Sequence, residues 1–276
     1  MKKKILLTSA VFLILTSILI LPFIFPTFAG TTALFNISLT ISNSAPTIVS
    51  VDTVSNTPAE GTTKLISFYF NASDANGVSD IPGSNAVVRI NKSGVALASS
   101  PCIVIGSTTT MNRYQCNLTI NYYNIPGTWT INASVYDGAS ATATDLTQAY
   151  TNGNVYGISL KTNSLTFSGT PGQANVSASN NPQNVNNTGN NVITSLNITA
   201  YALANGGTII GTGNFSANTT NSAAGQTLIN NTAVAIVTSD VAVEGTRDVY
   251  IYLNVPTGLS NGTYTSTNSW IVTMNS

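Results

Sequence analysis

The chain contains no histidine, only two cysteines and very little charge: nine Lys plus Arg and nine Asp plus Glu among 276 residues. At 7%, the charged fraction is far below the roughly 25% of ordinary soluble domains. Each scarcity excludes something. Without imidazole there is no Ser-His-Asp or Cys-His pair, and no histidine ligand for zinc or haem. Lys2, Lys3 and Lys4 open the chain and the next charge is Asp52, so from residue 30 onward six basic groups face nine acidic ones, a net charge of −3. That surface offers no basic stripe to a phosphate backbone, and nucleic acid is not an expected partner. Long runs of the helix formers Ala, Leu, Glu, Lys and Arg are missing as well, which argues against a soluble helical domain.

What the chain does have is an apolar start. Ile5 to Phe28 is uncharged and interrupted only by Thr, Ser and Pro. Three lysines followed by such a stretch read as an export signal, with the remainder delivered outside the cytoplasm. Two outcomes stay open. Small Thr27 and Ala29 precede Gly30 as a signal peptidase would require, and Pro22 and Pro26 break a helix near the outer face; the apolar length would equally serve a retained transmembrane anchor. Residues 1–29 are therefore expected to be a signal peptide or a membrane anchor. The expected location is extracellular or at the cell surface, with membrane contact through this segment if it is uncleaved.

Beyond residue 30 the period is two. In "ALFNISLTI", Phe35, Ile37, Leu39 and Ile41 alternate with Asn36, Ser38 and Thr40, predicting a leading strand over 32–42. The same beat runs through Ile66, Phe68 and Phe70; Cys116, Leu118 and Ile120; Trp129, Ile131, Ala133 and Val135; Leu196, Ile198 and Ala200; and Val249, Ile251, Leu253 and Val255. Short strands between Gly, Pro and Asn turns predict packed antiparallel sheets, each with one wet face. The expected organisation is 30–45 as leading strand and linker, 46–138 as a first sandwich, 139–154 as a linker lacking sustained alternation, and 155–276 as a second sandwich. Strands of the second are expected near 155–160, 163–168, 174–178, 192–202, 208–217, 226–229, 233–239, 247–255 and 269–274. Trp129 and Trp270 are expected core anchors, Tyr250 and Tyr252 are assigned to the wetter face of their strand, and "SNNPQNVNNTGNN" reads as a long polar turn.

The segments "APTIVSV", "KLISFYFNASDANGVSDI", "NAVVRI", "CNLTINY" and "GTWTINASVYDG" resemble the immunoglobulin-like and cadherin-like domains of prokaryotic, especially archaeal, secreted proteins. "TGNNVITSLNITAYAL" and "VPTGLSNGTYTSTNSWIV" are similar to the terminal sandwich of archaeal surface proteins. The resemblance implies an all-β protein of two tandem immunoglobulin-like β-sandwiches, with a passive role in envelopes, adhesion or filaments. It brings no catalytic residues.

Few positions promise chemistry. Cys102 and Cys116, 14 residues apart in an exported chain, are expected to form a structural disulfide closing "PCIVIGSTTTMNRYQC". Twelve Asn-X-Ser/Thr sequons are glycosylation candidates: Asn36, Asn71, Asn91, Asn117, Asn132, Asn175, Asn186, Asn197, Asn214, Asn218, Asn230 and Asn261. A chain this rich in Asn, Ser and Thr generates many sequons by chance. Asn36, Asn117, Asn132 and Asn197, however, fall on the polar beat, where glycans would keep poorly charged sheets apart. In "SDANGVSD", Asp74, Asn76 and Asp80 surround Gly77, a spacing that suits a calcium ion or, more simply, an Asx-turn. No other cofactor is implied. The paired acids Asp74 with Asp80 and Glu244 with Asp248 stand in turn-like contexts, so no catalytic residue is assigned. The expected function is a non-catalytic structural or adhesive role at the envelope, with envelope proteins or surface glycans as partners. The alternatives are a carbohydrate- or protein-binding module, or a filament subunit whose leading strand completes a neighbour's sheet.

Overall fold

The computed structural model describes residues 35–236 and 240–275. Residues 1–29, and with them the signal or anchor, lie outside this range. Contacts divide the chain into one unit ending at Ser42 and a second from Asn43 to Ser276. Of the first unit, the described residues 35–42 form no regular structure. This corrects the leading strand predicted there. Phe35, Ile37, Leu39 and Ile41 are 77–84% exposed, and none has a strand partner among the described residues.

In the second unit, alternation becomes sheet because each apolar residue on the beat finds a facing sheet to bury against. Ten strands build its N-terminal half: β1 (Thr47–Val51), β2 (Val54–Ser55), β3 (Thr63–Ser73), β4 (Ala86–Lys92), β5 (Val95–Ala98), β6 (Ile103–Ser107), β7 (Met111–Asn121), β8 (Gly127–Tyr136), β9 (Thr142–Asp145) and β10 (Ala149–Asn152). One sheet runs β1-β3-β7-β6; the other runs β2-β10-β8-β4-β5, with β9 also on β8. The core between them takes Ile66, Phe68 and Phe70 from β3, Tyr114, Cys116, Leu118 and Ile120 from β7, and Trp129, Ile131, Ala133 and Val135 from β8. Trp129 is fully buried, as expected, and its Nε1–H donates to the Ile125 carbonyl at 2.9 Å. Tyr150 is fully buried in this core, its ring edge-on to Phe68 at 5.8 Å. Its hydroxyl donates to the Asn56 carbonyl at 2.6 Å, and burial pushes its pKa up to about 12, so it remains a neutral donor.

Tyr150 belongs to the stretch 139–154 expected as a linker. That stretch instead carries β9 and β10, both antiparallel to β8. Its residues alternate weakly because strands of four residues leave little room for a pattern.

The C-terminal half holds β11 (Ile158–Leu160), β12 (Val176–Ser177), β13 (Gln183–Asn187), β14 (Ser195–Thr199), β15 (Leu203–Asn205), β16 (Thr208–Ile210), β17 (Phe215–Asn218), β18 (Gln226–Thr227), β19 (Ala233–Ala235), β20 (Thr246–Leu253), β21 (Thr265–Ser266) and β22 (Ile271–Asn275). They form a sheet β11-β13-β20-β17-β18 with β12 also on β20, and two three-stranded sheets, β19-β14-β22 and β16-β15-β21. A second core gathers Val185, Leu196, Ile198, Phe215, Val249 and Ile251 among others. Trp270 is half-buried against it, its ring 5.1 Å from that of Phe215 and its Nε1–H donating to the Tyr201 carbonyl at 2.8 Å.

Three expectations fail in this half. No strand forms at 163–168. Tyr252 is buried, its hydroxyl bonded to the Asn221 side chain. The polar stretch read as a turn contains β13, which lies inside the largest sheet of this half, between β11 and β20. Its inward residues are Gln183, Val185 and Asn187. Gln183 donates to the Thr162 carbonyl at 2.6 Å, and Asn187 donates to the carbonyls of Asn191 at 2.8 Å and Ala242 at 3.1 Å. An amide that is itself satisfied can take an inward position, which a hydrophobic count does not detect.

The two halves meet through asparagine. Asn190 accepts the Val155 N–H at 2.7 Å and donates to the carbonyls of Gly153 at 2.9 Å and Asn124 at 3.3 Å. Asn152 donates to the same Asn124 carbonyl at 2.8 Å. Gly189 lets the chains approach: a Cβ there would sit 2.3 Å from the Val155 carbonyl oxygen. Asn190→Ala orphans the Val155 N–H, and the expected loss, read by denaturant unfolding, is about 1–3 kcal/mol.

Cys102 and Cys116 form the expected disulfide, and both are buried in the first core. The bond pins the start of β6 against the middle of β7. Closing a loop of this length stabilises by roughly 3 kcal/mol through the unfolded chain. Reduction with a phosphine should lower the unfolding free energy by about that amount, while an unchanged midpoint would remove the disulfide from the account of stability.

Candidate functional site

Two places combine unusual exposure or charge with definite geometry. The first is an open sheet edge. β3 pairs with β7 along its whole length, from Ser73↔Met111 to Thr63↔Asn121. On the other side, β6 covers β7 only from Asn112 to Gln115. The edge opens at the disulfide because the chain arrives there from β5, and Pro101, having no N–H, cannot extend the ladder backward. Residues 116–121 therefore have no strand on that side among the described residues. Beside them lies a cleft of about 330 Å³ whose lining includes Leu65, Leu97, Ser100, Asn117, Leu118 and Thr119. Leu65 is exposed there.

The second place is a group of carboxylates. Asp74 follows β3, Asp80 ends the 3-10 turn Val78–Asp80, and Asp137 follows β8; one carboxylate oxygen from each lies within 4.8 Å of the others. Asp74 and Asp137 are buried. Their hydrogen bonds come from neutral donors. Asp74 Oδ1 accepts the Asn76 N–H at 2.7 Å, forming the predicted Asx-turn, and Asp80 Oδ1 accepts the Gly138 N–H at 2.9 Å. Asp137 Oδ1 accepts the N–H groups of Ala141 at 2.8 Å and Ala139 at 2.9 Å, and its Oδ2 accepts the Asn43 amide at 2.8 Å. The Asn43 amide, aided by the backbone N–H groups of residues 139–141, holds the Asp137 carboxyl below its usual range against the opposing effect of desolvation.

The sequence spacing led to Asp74, Asn76 and Asp80. The fold supplies a third acid from 57 residues beyond Asp80, which local spacing could not reveal. The Asn76 side-chain oxygen accepts the Ser44 N–H at 2.7 Å. Asp52 pairs with Arg113 at 2.8 Å, and Glu60 accepts the Thr188 hydroxyl. Of the other acid pair, Asp248 accepts the Asn184 amide at 2.9 Å and Glu244 occupies a left-handed turn position.

The twelve sequon asparagines stand at exposed or half-buried positions. Asn36, Asn175, Asn230 and Asn261 are exposed. The side-chain nitrogens of Asn71, Asn214 and Asn218 already donate, to Ser50 Oγ at 2.8 Å and to the carbonyls of Gly211 and Ala224, both at 3.0 Å. Asn91, Asn117, Asn132, Asn186 and Asn197 lie on strands with their side chains half-buried. No protein-family model and no characterised protein matches this chain.

The lowered Asp137 carboxyl carries a pH consequence. A carboxylate whose folded pKa lies below its unfolded value of about 4 contributes stability that is complete above pH 4. That contribution disappears as the pH falls through the folded value. Acid unfolding of Asp137→Asn should therefore show a shallower loss of stability below pH 4 than the parent chain; identical acid profiles would separate this carboxyl from acid stability.

Proposed function

We propose that this chain is a non-catalytic structural protein of the cell exterior, built as two immunoglobulin-like sandwiches behind a signal peptide or anchor. The observation that carries this reading is the disulfide between its only two cysteines. Such bonds persist in oxidising compartments, in agreement with the lysine-led apolar start. Sheets this poor in charge need another device against edge association, and glycans at the exposed sequons would supply it. Fractionation of native cells with N-terminal and glycopeptide mapping tests the proposal: recovery in the envelope or medium with sugar on Asn36, Asn175, Asn230 or Asn261 is expected. Recovery of unmodified chain in the cytosol would end it.

A second reading, a filament subunit joined by strand addition, is favoured by the exposed segment 35–41 together with the open half of β7. Burying a large apolar side chain is worth roughly 1.5–3 kcal/mol, so the four exposed ones hold a substantial driving force in reserve. Laid along residues 116–121, the segment would turn one row of side chains to the inward face beside Leu97 and Leu118 and the other, Asn36, Ser38 and Thr40, to the outward face on which Leu65 is exposed. The donor in this reading is another copy. In this reading the purified chain forms linear multimers that Ile37→Asp with Leu39→Asp abolishes, as seen by negative stain and sedimentation. Multimers unaffected by that double change would overturn strand addition while leaving the structural role standing.

A further inference from the structure

We propose that Asp74, Asp80 and Asp137 form a site for a calcium-class dication. Three of the nine acidic residues of the whole chain bring carboxylate oxygens within 4.8 Å of one another. Chance placement of so few acids does not favour such a gathering, and like charges this close repel strongly where water is excluded. Nothing cationic relieves them: among the described residues the only ion pair joins Arg113 to Asp52.

The second observation is independent of the clustering. Asp74 is 2% exposed, and its Oδ2 has no hydrogen-bond partner among the described residues. A buried carboxylate oxygen left unpaired is costly, and native proteins rarely leave one so. The neighbours do not supply a donor, because the amides around the cluster already serve Asp74 Oδ1, Asp80 Oδ1 and both oxygens of Asp137. A dication satisfies the orphaned oxygen and neutralises the repulsion in one step.

The donor chemistry selects the ion. All three ligands are hard carboxylate oxygens; there is no histidine in the chain, and both cysteines are in the disulfide. This disfavours zinc and copper. Three carboxylates contributed by two strand ends and a turn make an irregular set, and calcium accepts irregular, six- to eight-oxygen coordination where magnesium demands a near-ideal octahedron. Gly138 is part of the fit, since a Cβ there would lie 2.5 Å from Asp80 Oδ1 and displace it. Asn43 bonds to Asp137 from the residue at which the second unit begins. The ion would thus tie the ends of β3 and β8 and the turn between Asp74 and Asp80 to the point where the chain enters this unit.

The test is calcium titration of the full chain after chelator treatment, followed by calorimetry, by terbium luminescence sensitised through tyrosine and by thermal unfolding. Calcium should bind with about one ion per chain and, at a hundredfold excess over its Kd, raise Tm by roughly 5 °C or more. Asp74→Asn and Asp80→Asn should each weaken binding at least about tenfold, which corresponds to 1.4 kcal/mol or more. Asp240→Asn, outside the cluster, should leave it unchanged. Asp80 is only half-buried, so its variant keeps the test sound if Asp74→Asn fails to fold. Absence of a calcium-dependent shift, or terbium binding indifferent to both cluster substitutions, would overturn the proposal. Magnesium binding as tight as calcium would overturn the choice of ion.

Discussion

The interaction on which the structure depends is the neutral amide bonded to backbone. Folding buries N–H and C=O groups wherever a strand ends or two sheets meet, and each needs a partner. Most proteins draw some of those partners from charged side chains. This chain, with so few, draws them from asparagine, whose amide both donates and accepts. Asn112 donates to the carbonyls of Val78 and Ile81 beneath a turn, Asn124 and Asn152 finish the first core, and Asn187 and Asn190 secure the start of the second half. The amide carries no desolvated charge, so it can be buried at modest cost as long as all its bonds are made.

That solution has a natural limit at the carboxylate group. Amides satisfy most of the oxygens of Asp74, Asp80 and Asp137, but they do not remove net negative charge and they leave Asp74 Oδ2 without a partner. The same turns are otherwise arranged by side-chain bonds to backbone, which makes the exception informative. At the opposite extreme of polarity, the open half of β7 and the exposed segment 35–41 are places where backbone and apolar groups are left for water or for another molecule. Both features depart from the pattern that holds elsewhere in the fold, and a structure tends to depart from its own rules where function makes a demand.

Strands with a clean apolar beat were legible. β7, β8 and β3 from Ile66 onward bury every second residue as their sequences predict, because a facing sheet covers them there. The failures have separate physical causes. Segment 35–41 carries the same beat yet has no strand partner among the described residues, since alternation records suitability for a sheet edge and says nothing about whether one is within reach. β13 was invisible because its inward Gln183 and Asn187 depend on carbonyls supplied by distant loops. β9 and β10 were hidden by their shortness. At the carboxylates, Asp74 and Asp80 could be paired from spacing, whereas Asp137 is brought to them by the antiparallel pairing of β4 with β8, which sets Ala86 opposite Val135.

Composition, alternation and the cysteine count by themselves determined that the part beyond the apolar start is all-β, poor in charge and closed by one disulfide, because these follow from local steric preference and from residue inventory. Tertiary structure alone decided which acids meet, which half of β7 stays uncovered and which asparagines are inward. Those outcomes rest on contacts between residues far apart in the chain, and a periodic pattern contains the face of a strand without the identity of its neighbour.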